Sequence, residues 1–263
     1  MEPDNNKSLA PLTDKELAEL FGDTMGRPTS SLDTLTVYRA GKEDYFRRGD
    51  DKVPSVTGVL LYSQRPMRTF WESSEISDSP PDCHSIDSIR PSPESAKVQA
   101  DTCASCPHDK FGSAAVGKGK ACKTRAADFV LEVKSDGLLL APITPTTWTV
   151  IPLTPEMVMG PALVRYGIGN REASDNYAAL TRFAKDRGTP VQGLLCRWSF
   201  VKGKSKSNVE YDVVTVTPLA KVSPDTLMTL IVPLVRDLKN GGAASVLTAL
   251  SGKKDEVEPG SNG

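Results

Sequence analysis

Cys83, Cys103, Cys106 and Cys122 are spaced C-x19-C-x2-C-x15-C, and the fifth cysteine, Cys196, stands alone in an apolar run. A C-x2-C pair sets two thiolates on one tight turn, suited to two corners of a tetrahedron, and the outer cysteines can supply the other two. Zinc accepts four sulfurs at about 2.3 Å with no directional preference of its own. A closed four-thiolate site can therefore staple a segment too poor in apolar residues to fold alone. Residues 78–126 form such a segment: rich in Pro, Ser, Asp, Lys and Gly, without Leu, and with only Ile86, Ile89, Val98 and Val116 as branched aliphatics. Disulfides would need an oxidising compartment, yet the chain opens on a polar, acidic stretch without a basic n-region or an apolar h-region. An iron–sulfur cluster also takes four thiolates, and Cys106-Pro107 echoes the Cys-Pro of some cluster loops. Unlinked thiols are the remaining alternative. His84 and His108, the only histidines, each lie near a cysteine and could substitute as ligands. The four sulfurs are taken as the set, with zinc as the metal.

The basic residues fall in three clusters. From Lys97 to Arg125 there are Lys97, Lys110, Lys118, Lys120, Lys123 and Arg125 against Asp101 and Asp109. Lys118-Gly119-Lys120 lies in a Gly-rich stretch where backbone N–H groups could join lysines around a phosphate. Arg197, Lys202, Lys204 and Lys206 form the second cluster, and Arg65 and Arg68, beside Tyr62, Phe70 and Trp71, the third. Cations track the backbone of a single strand and aromatic rings stack on its bases regardless of base identity. The competing reading is a set of solvated turns and core aromatics.

Catalysis finds little support. Gly112 to Lys118 matches G-x4-G-K, but Gly119 replaces the Ser or Thr that would hold magnesium, and no apolar strand precedes it. There is no H-E-x-x-H or G-x-S-x-G, an imidazole base is hard to place with two histidines near cysteines, and four cysteines leave a zinc no open position. A non-enzymatic protein is expected. Net charge is −1, so polyanion binding must come from local patches, and no apolar run reaches the roughly 18–20 residues that span a bilayer. A soluble, cytoplasmic protein without membrane contact is expected.

Several short strand-like segments must position these groups: Leu35–Arg39, Val56–Tyr62 with Gly58 as a bulge, Met67–Trp71, Ala127–Val133, a turn at Ser135–Gly137, Leu138–Leu140 and, less regular, Trp148–Leu153. Val191–Val201 and Val209–Thr217 are the clearest pair, joined by the basic turn Lys202–Asn208. Helices are expected at Thr13–Phe21, from Ser174 to Arg187 and at Asp225–Leu238. The pattern implies a mainly β architecture with added helices, best matched by an OB-fold, a five-stranded Greek-key barrel with a helix after its third strand. On this reading residues 1–33 are a loosely ordered arm, 34–240 the OB-like domain with the zinc loop inserted at 78–126, and 241–263 a short helix and disordered tail.

Cys103-Ala-Ser-Cys106-Pro-His-Asp-Lys-Phe111-Gly112-Ser113, followed by Gly117-Lys118-Gly119-Lys120-Ala121-Cys122-Lys123, resembles a group of phage and mobile-element proteins. These look like single-stranded-DNA-binding replication proteins in which a zinc loop is built into an OB-fold. The resemblance is concentrated in residues 83–125. It implies that Cys83, Cys103, Cys106 and Cys122 bind Zn2+, that Lys118 and Lys120 belong to the basic loop, and that phage replication proteins are partners in a host cytoplasm. Pro155–Ala173 reads as an insertion, and the end of the chain lacks the acidic, Phe-ended tail of many such proteins, so tail-mediated recruitment is not carried over. The expected strand-binding surface comprises Tyr62, Arg65, Arg68, Trp71, Arg197 and Trp198 on the barrel, with Lys118, Lys120, Lys123, Lys202 and Lys204 on the loops. The alternative is a zinc-stabilised adaptor of a phage replication or transcription complex with no nucleic-acid affinity of its own.

Overall fold

The computed structural model of the chain describes residues 36–40, 44–72, 81–115, 117–134, 149–168, 172–204 and 210–239. Ten strands run through them: β1 (Thr36–Ala40), β2 (Phe46–Arg48), β3 (Asp51–Val53), β4 (Val56–Phe70), β5 (Cys83–Ser85), β6 (Lys123–Val133), β7 (Val150–Ile151), β8 (Val158–Gly167), β9 (Leu194–Lys204) and β10 (Glu210–Val222). Helix α1 (Glu172–Lys185) lies between β8 and β9. After β10 come α2 (Pro224–Thr226), a π-helical turn (Leu227–Ile231) and α3 (Val232–Asp237). Ser223 caps this run by accepting from the Thr226 N–H, and the π turn falls just before Pro233, which has no N–H to continue the regular ladder.

The strands make one mixed sheet in the order β3-β2-β1-β8-β6-β4-β9-β10-β7, with β5 on the far end of β4. The β1–β8 and β10–β7 pairs are parallel. The protein is mainly β, as expected. Among the described residues no ladder joins the two ends of this order, so the sheet is open rather than a hydrogen-bonded closed barrel. It nevertheless curls. Phe46 on β2 meets Phe200 on β9 with ring centroids 4.6 Å apart, although four strands separate them in the sheet.

Both faces of the central strands are buried, in keeping with the mostly apolar stretches Val56–Tyr62 of β4 and Ala126–Val133 of β6. On one face Tyr38, Phe46, Leu60, Val130, Val164 and Trp198 pack with Leu180 and Ala184 of α1. On the other, Val59, Leu61, Phe129, Leu131 and Leu195 pack with Ile231, Val235 and Leu238 of the final helical run. A bulge at Leu61, where Leu60 faces Val130 and Tyr62 faces Phe129, turns Leu61 and Tyr62 into the same core. Gly58 is required for a different reason than a bulge: a Cβ there would stand 2.4 Å from the Leu131 carbonyl oxygen.

The helix expected from Ser174 to Arg187 is present but starts at Glu172, so Ser174 and Asp175 lie within it rather than capping it. The expected strand pair is present as Leu194–Lys204 and Glu210–Val222, with Val191–Gly193 a 3-10 turn ahead of it. Of the two readings of Met67–Trp71, continuing the preceding strand or pairing with it, the structure has the first: Met67–Phe70 is the end of β4, past a register shift after Gln64. Pro155–Ala173 is no insertion, because Val158–Gly167 is an inner strand between β1 and β6. Its Gly160, at φ +128°, sits where the register with β6 shifts, so the residues that interrupt the pattern are those of a bulge. The expected helix at Thr13–Phe21, the arm of residues 1–33, the turn and strand at 135–140, Trp148 and the tail at 241–263 lie outside the described residues. Among the described residues no helix is long and apolar enough to cross a membrane.

Candidate metal centre and nucleic-acid interface

The cysteine loop leaves β4 at Phe70 and re-enters the sheet at Lys123 in β6, so two adjacent antiparallel strands anchor both of its ends. Cys83 pairs with Phe70 at the start of β5. The Cys103 N–H donates to the Ile89 carbonyl at 3.0 Å, Cys106 to Cys103 at 3.3 Å, and Asp109 to Cys106 at 3.1 Å, which makes the C-x2-C turn. The Cys122 N–H donates to the His108 carbonyl at 2.8 Å and returns the chain to that turn.

Cys83, Cys103, Cys106 and Cys122 all line one cavity of about 20 Å³, room for a single ion or water molecule. None of the five cysteines is in a disulfide. Burial raises the Cys103 thiol, and burial followed by the Asp109 charge pushes Cys122 up to about 12. As the side chains stand, no group of three or more His, Cys, Asp or Glu among the described residues is arranged to hold an ion. The four cysteines nonetheless share the lining of that one small space, and their thiolates are the donors a zinc ion would take. His84 lines the same cavity, is buried, and its Nε2 has no hydrogen-bond partner. His108 does not line it; its ring stacks on Phe70 at 4.0 Å.

Charged contacts stitch the loop to the sheet. Arg68 reaches Asp109 at 3.2 Å and also donates to the Thr124 hydroxyl. Lys120 pairs with the same Asp109 oxygen at 3.1 Å and lies over the Phe111 ring. Lys123 donates to the Lys120 carbonyl at 2.7 Å. Within the loop the Gly112 N–H donates to the carbonyls of Lys118 and Gly119 and the Ala114 N–H to that of Gly119, so the Lys118–Gly119 carbonyls face inward across the turn. Lys118 is exposed, with no acidic partner among the described residues. Phe111 is 75% exposed, a ring at the loop tip that the motif reading did not single out as a contact.

The barrel surface expected from the sequence is corrected at three positions. Tyr62 and Trp198 are fully buried, one in each core, and cannot stack on a base. Arg65 is also buried and committed to Asp128. Arg68 is tied to Asp109, and Arg197 is half-buried on β9. Trp71 is half-buried, with the Arg125 guanidinium 5.1 Å from its ring centre, and Phe70 points inward. On the β9–β10 hairpin Lys202 faces Asp212 and Lys204 faces Glu210. Solvent screens exposed pairs of this kind, and the lysines stay available to an anion.

The buried arginine belongs to a network that pattern reading missed. Asp128 is fully buried on β6. Its Oδ1 accepts from Ser63 Oγ at 2.6 Å and Arg65 Nη2 at 2.7 Å, and its Oδ2 from the Tyr166 hydroxyl at 2.7 Å and Trp198 Nε1 at 2.9 Å. Arg65 also lies 4.6 Å from the Tyr177 ring centre, which ties α1 to the sheet. Burial is the largest single influence and would lower the Arg65 guanidinium, but the charge and hydrogen bond of Asp128 together with Tyr166 and Tyr177 outweigh it and the group is raised. The available signal was Asp128 itself, a carboxylate inside the apolar run Ala126–Val133, which needs partners if that strand is buried. Compared with protein-family models, curated proteins and solved structures, the chain matches none.

Proposed function

We propose that the protein is a non-enzymatic single-stranded-DNA-binding protein acting in phage or mobile-element DNA replication or recombination, with its cysteine loop closed on one zinc ion. The observation that carries this reading is the placement of the basic loops by the sheet connectivity. β4, β6 and β8 form an antiparallel meander, α1 follows, and the β9–β10 hairpin returns with β9 beside β4. That order is compatible with an OB barrel left partly open. Such barrels hold oligonucleotides on the second and third strands and on the loops after the first and fourth. In this chain those loops are the cysteine loop, with Lys118 and Phe111, and the basic turn after Lys204. Cys83, Cys103, Cys106 and Cys122 would hold the zinc, which supplies no reaction here, only a fixed loop shape. Lys118 would then contact a phosphate and Phe111 stack on a base.

Exposed Ile89 and Val98 on the same loop favour the zinc-stabilised adaptor as the second reading. Titration with oligo-dT separates the two. Trp198 is buried, so binding is expected to quench Trp71, and Trp71→Phe in a Trp148→Phe background should remove most of the change. Lys118→Ala should make the plot of log affinity against log salt shallower by about 0.7, the value for one phosphate contact on a single strand. No quenching and no retention on oligo-dT at low salt would leave the adaptor reading in possession.

A further inference from the structure

Five basic side chains from well-separated segments of the sequence, Arg39, Arg47 and Lys52 from one and Arg125 and Arg165 from later strands, stand together on one face of the sheet. The strand register sets Lys52 opposite Arg47, Arg47 opposite Arg39, and Arg39 opposite Arg165. Directly opposed residues on neighbouring strands carry their side chains to the same side. Arg165 in turn faces Ala127, and Arg125 is two residues from Ala127 on the same strand, hence on the same side. At about 4.8 Å between strands, the series from β3 to β6 spans roughly 19 Å. The intervening residues Tyr38, Phe46, Val164 and Tyr166 point the other way, into the core that α1 covers.

Lys52 and Arg47 are exposed, and Arg39 and Arg165 half-buried. Arg165 makes no ion pair among the described residues, and burial together with the Arg39 and Arg125 charges pushes it down to about 10. Like charges set directly opposite one another destabilise a sheet, and a polyanion laid along them reverses the sign of that interaction. An aromatic ring stands at each end. Tyr45 lies 4.5 Å from Lys52 and 6.0 Å from Arg47, and Trp71 lies 5.1 Å from Arg125.

We infer that this row is the track for the phosphodiester backbone of single-stranded DNA, with Tyr45 and Trp71 as its stacking platforms, an inference that rests on the single-strand reading above. The rings favour a nucleic acid over an acidic peptide, because a base stacks where a carboxylate side chain does not. The test is oligo-dT binding by the full-length chain carrying Arg39→Gln and Arg165→Gln. Affinity at low salt should fall roughly tenfold and the salt slope become shallower by about 1.4, two contacts at about 0.7 each. Arg39→Lys with Arg165→Lys should restore the slope. Melting should stay close to the parent's in the glutamine variant, because glutamine keeps a long polar side chain at both strand positions. A second variant, Arg47→Ala with Lys52→Ala, changes only exposed positions and should give a similar shift without touching half-buried groups. Unchanged affinity and slope in both variants, with the parent chain binding, would overturn the track and leave binding to the loops. A parent chain that does not bind oligo-dT at low salt would overturn the single-strand reading and the track with it.

Discussion

Asp128→Ala is expected to destabilise the protein by about 3–5 kcal/mol, the cost of leaving a buried charge without its partner. Arg65 would keep its guanidinium inside the sheet with its carboxylate gone, and Ser63, Tyr166 and Trp198 would each lose an acceptor. These groups come from β4, β6, β8 and β9, so the damage falls on the central strands together rather than on one edge. The measurement is urea unfolding, where the midpoint should drop with the slope unchanged if the native state stays compact. Asp128→Asn keeps an acceptor oxygen and the shape but not the charge, so it should lie between the parent and the alanine variant. Adding Arg65→Met to Asp128→Ala should recover part of the loss, because the unpaired charge is then absent. If Asp128→Ala unfolds at the parent's urea midpoint, the network is dispensable. The buried placement of Arg65 and Trp198 would then need another cause.

That network also explains where sequence reading stopped. Local pattern was enough for α1 and for the β9–β10 hairpin, since each depends on periodicity within a short window. It was not enough for Tyr62, Arg65 and Trp198. An aromatic next to an arginine has the same local signature whether it faces solvent or caps a buried carboxylate, and Asp128 lies 63 residues from Arg65 and 70 from Trp198. β8 was hidden because Gly160 and Pro161 resemble loop punctuation, whereas in the sheet they mark a register shift. The row through Lys52, Arg47, Arg39 and Arg165 was hidden for the opposite reason. Each residue alone is an ordinary strand cation, and only the parallel β1–β8 pairing brings the two segments together.

Cys106→Ser is expected to abolish a stoichiometric zinc and to unfold the cysteine loop while the sheet survives. The loop has little apolar material to hold it. Ile89 and Val98 are 65% and 52% exposed, and its contacts with the sheet include the Phe70–His108 stack, the Arg68–Asp109 pair, the short β5 ladder, the Gln64–Ile86 and Ser88–Pro66 hydrogen bonds and the packing of Ile86 on the core. Structural zinc contributes apparent binding energies of about 10–16 kcal/mol in small zinc-binding peptides, far more than those contacts can supply. The purified parent chain should therefore carry one zinc by elemental analysis, and the variant none. Limited proteolysis should cut the variant between Cys83 and Cys122 at sites protected in the parent, and a chelator should reproduce the pattern. Cys196→Ser is the matched control. Its thiol is fully buried in the core beside α1, away from the loop, so its loss should lower stability without changing zinc content. His84→Ala separates the two possible ligand sets: full zinc retention keeps the four sulfurs as the ligands, whereas loss equal to that of Cys106→Ser makes His84 one of them. A parent chain without zinc whose loop still resists protease would show that the loop folds on its own contacts, and iron in place of zinc would make it a cluster site.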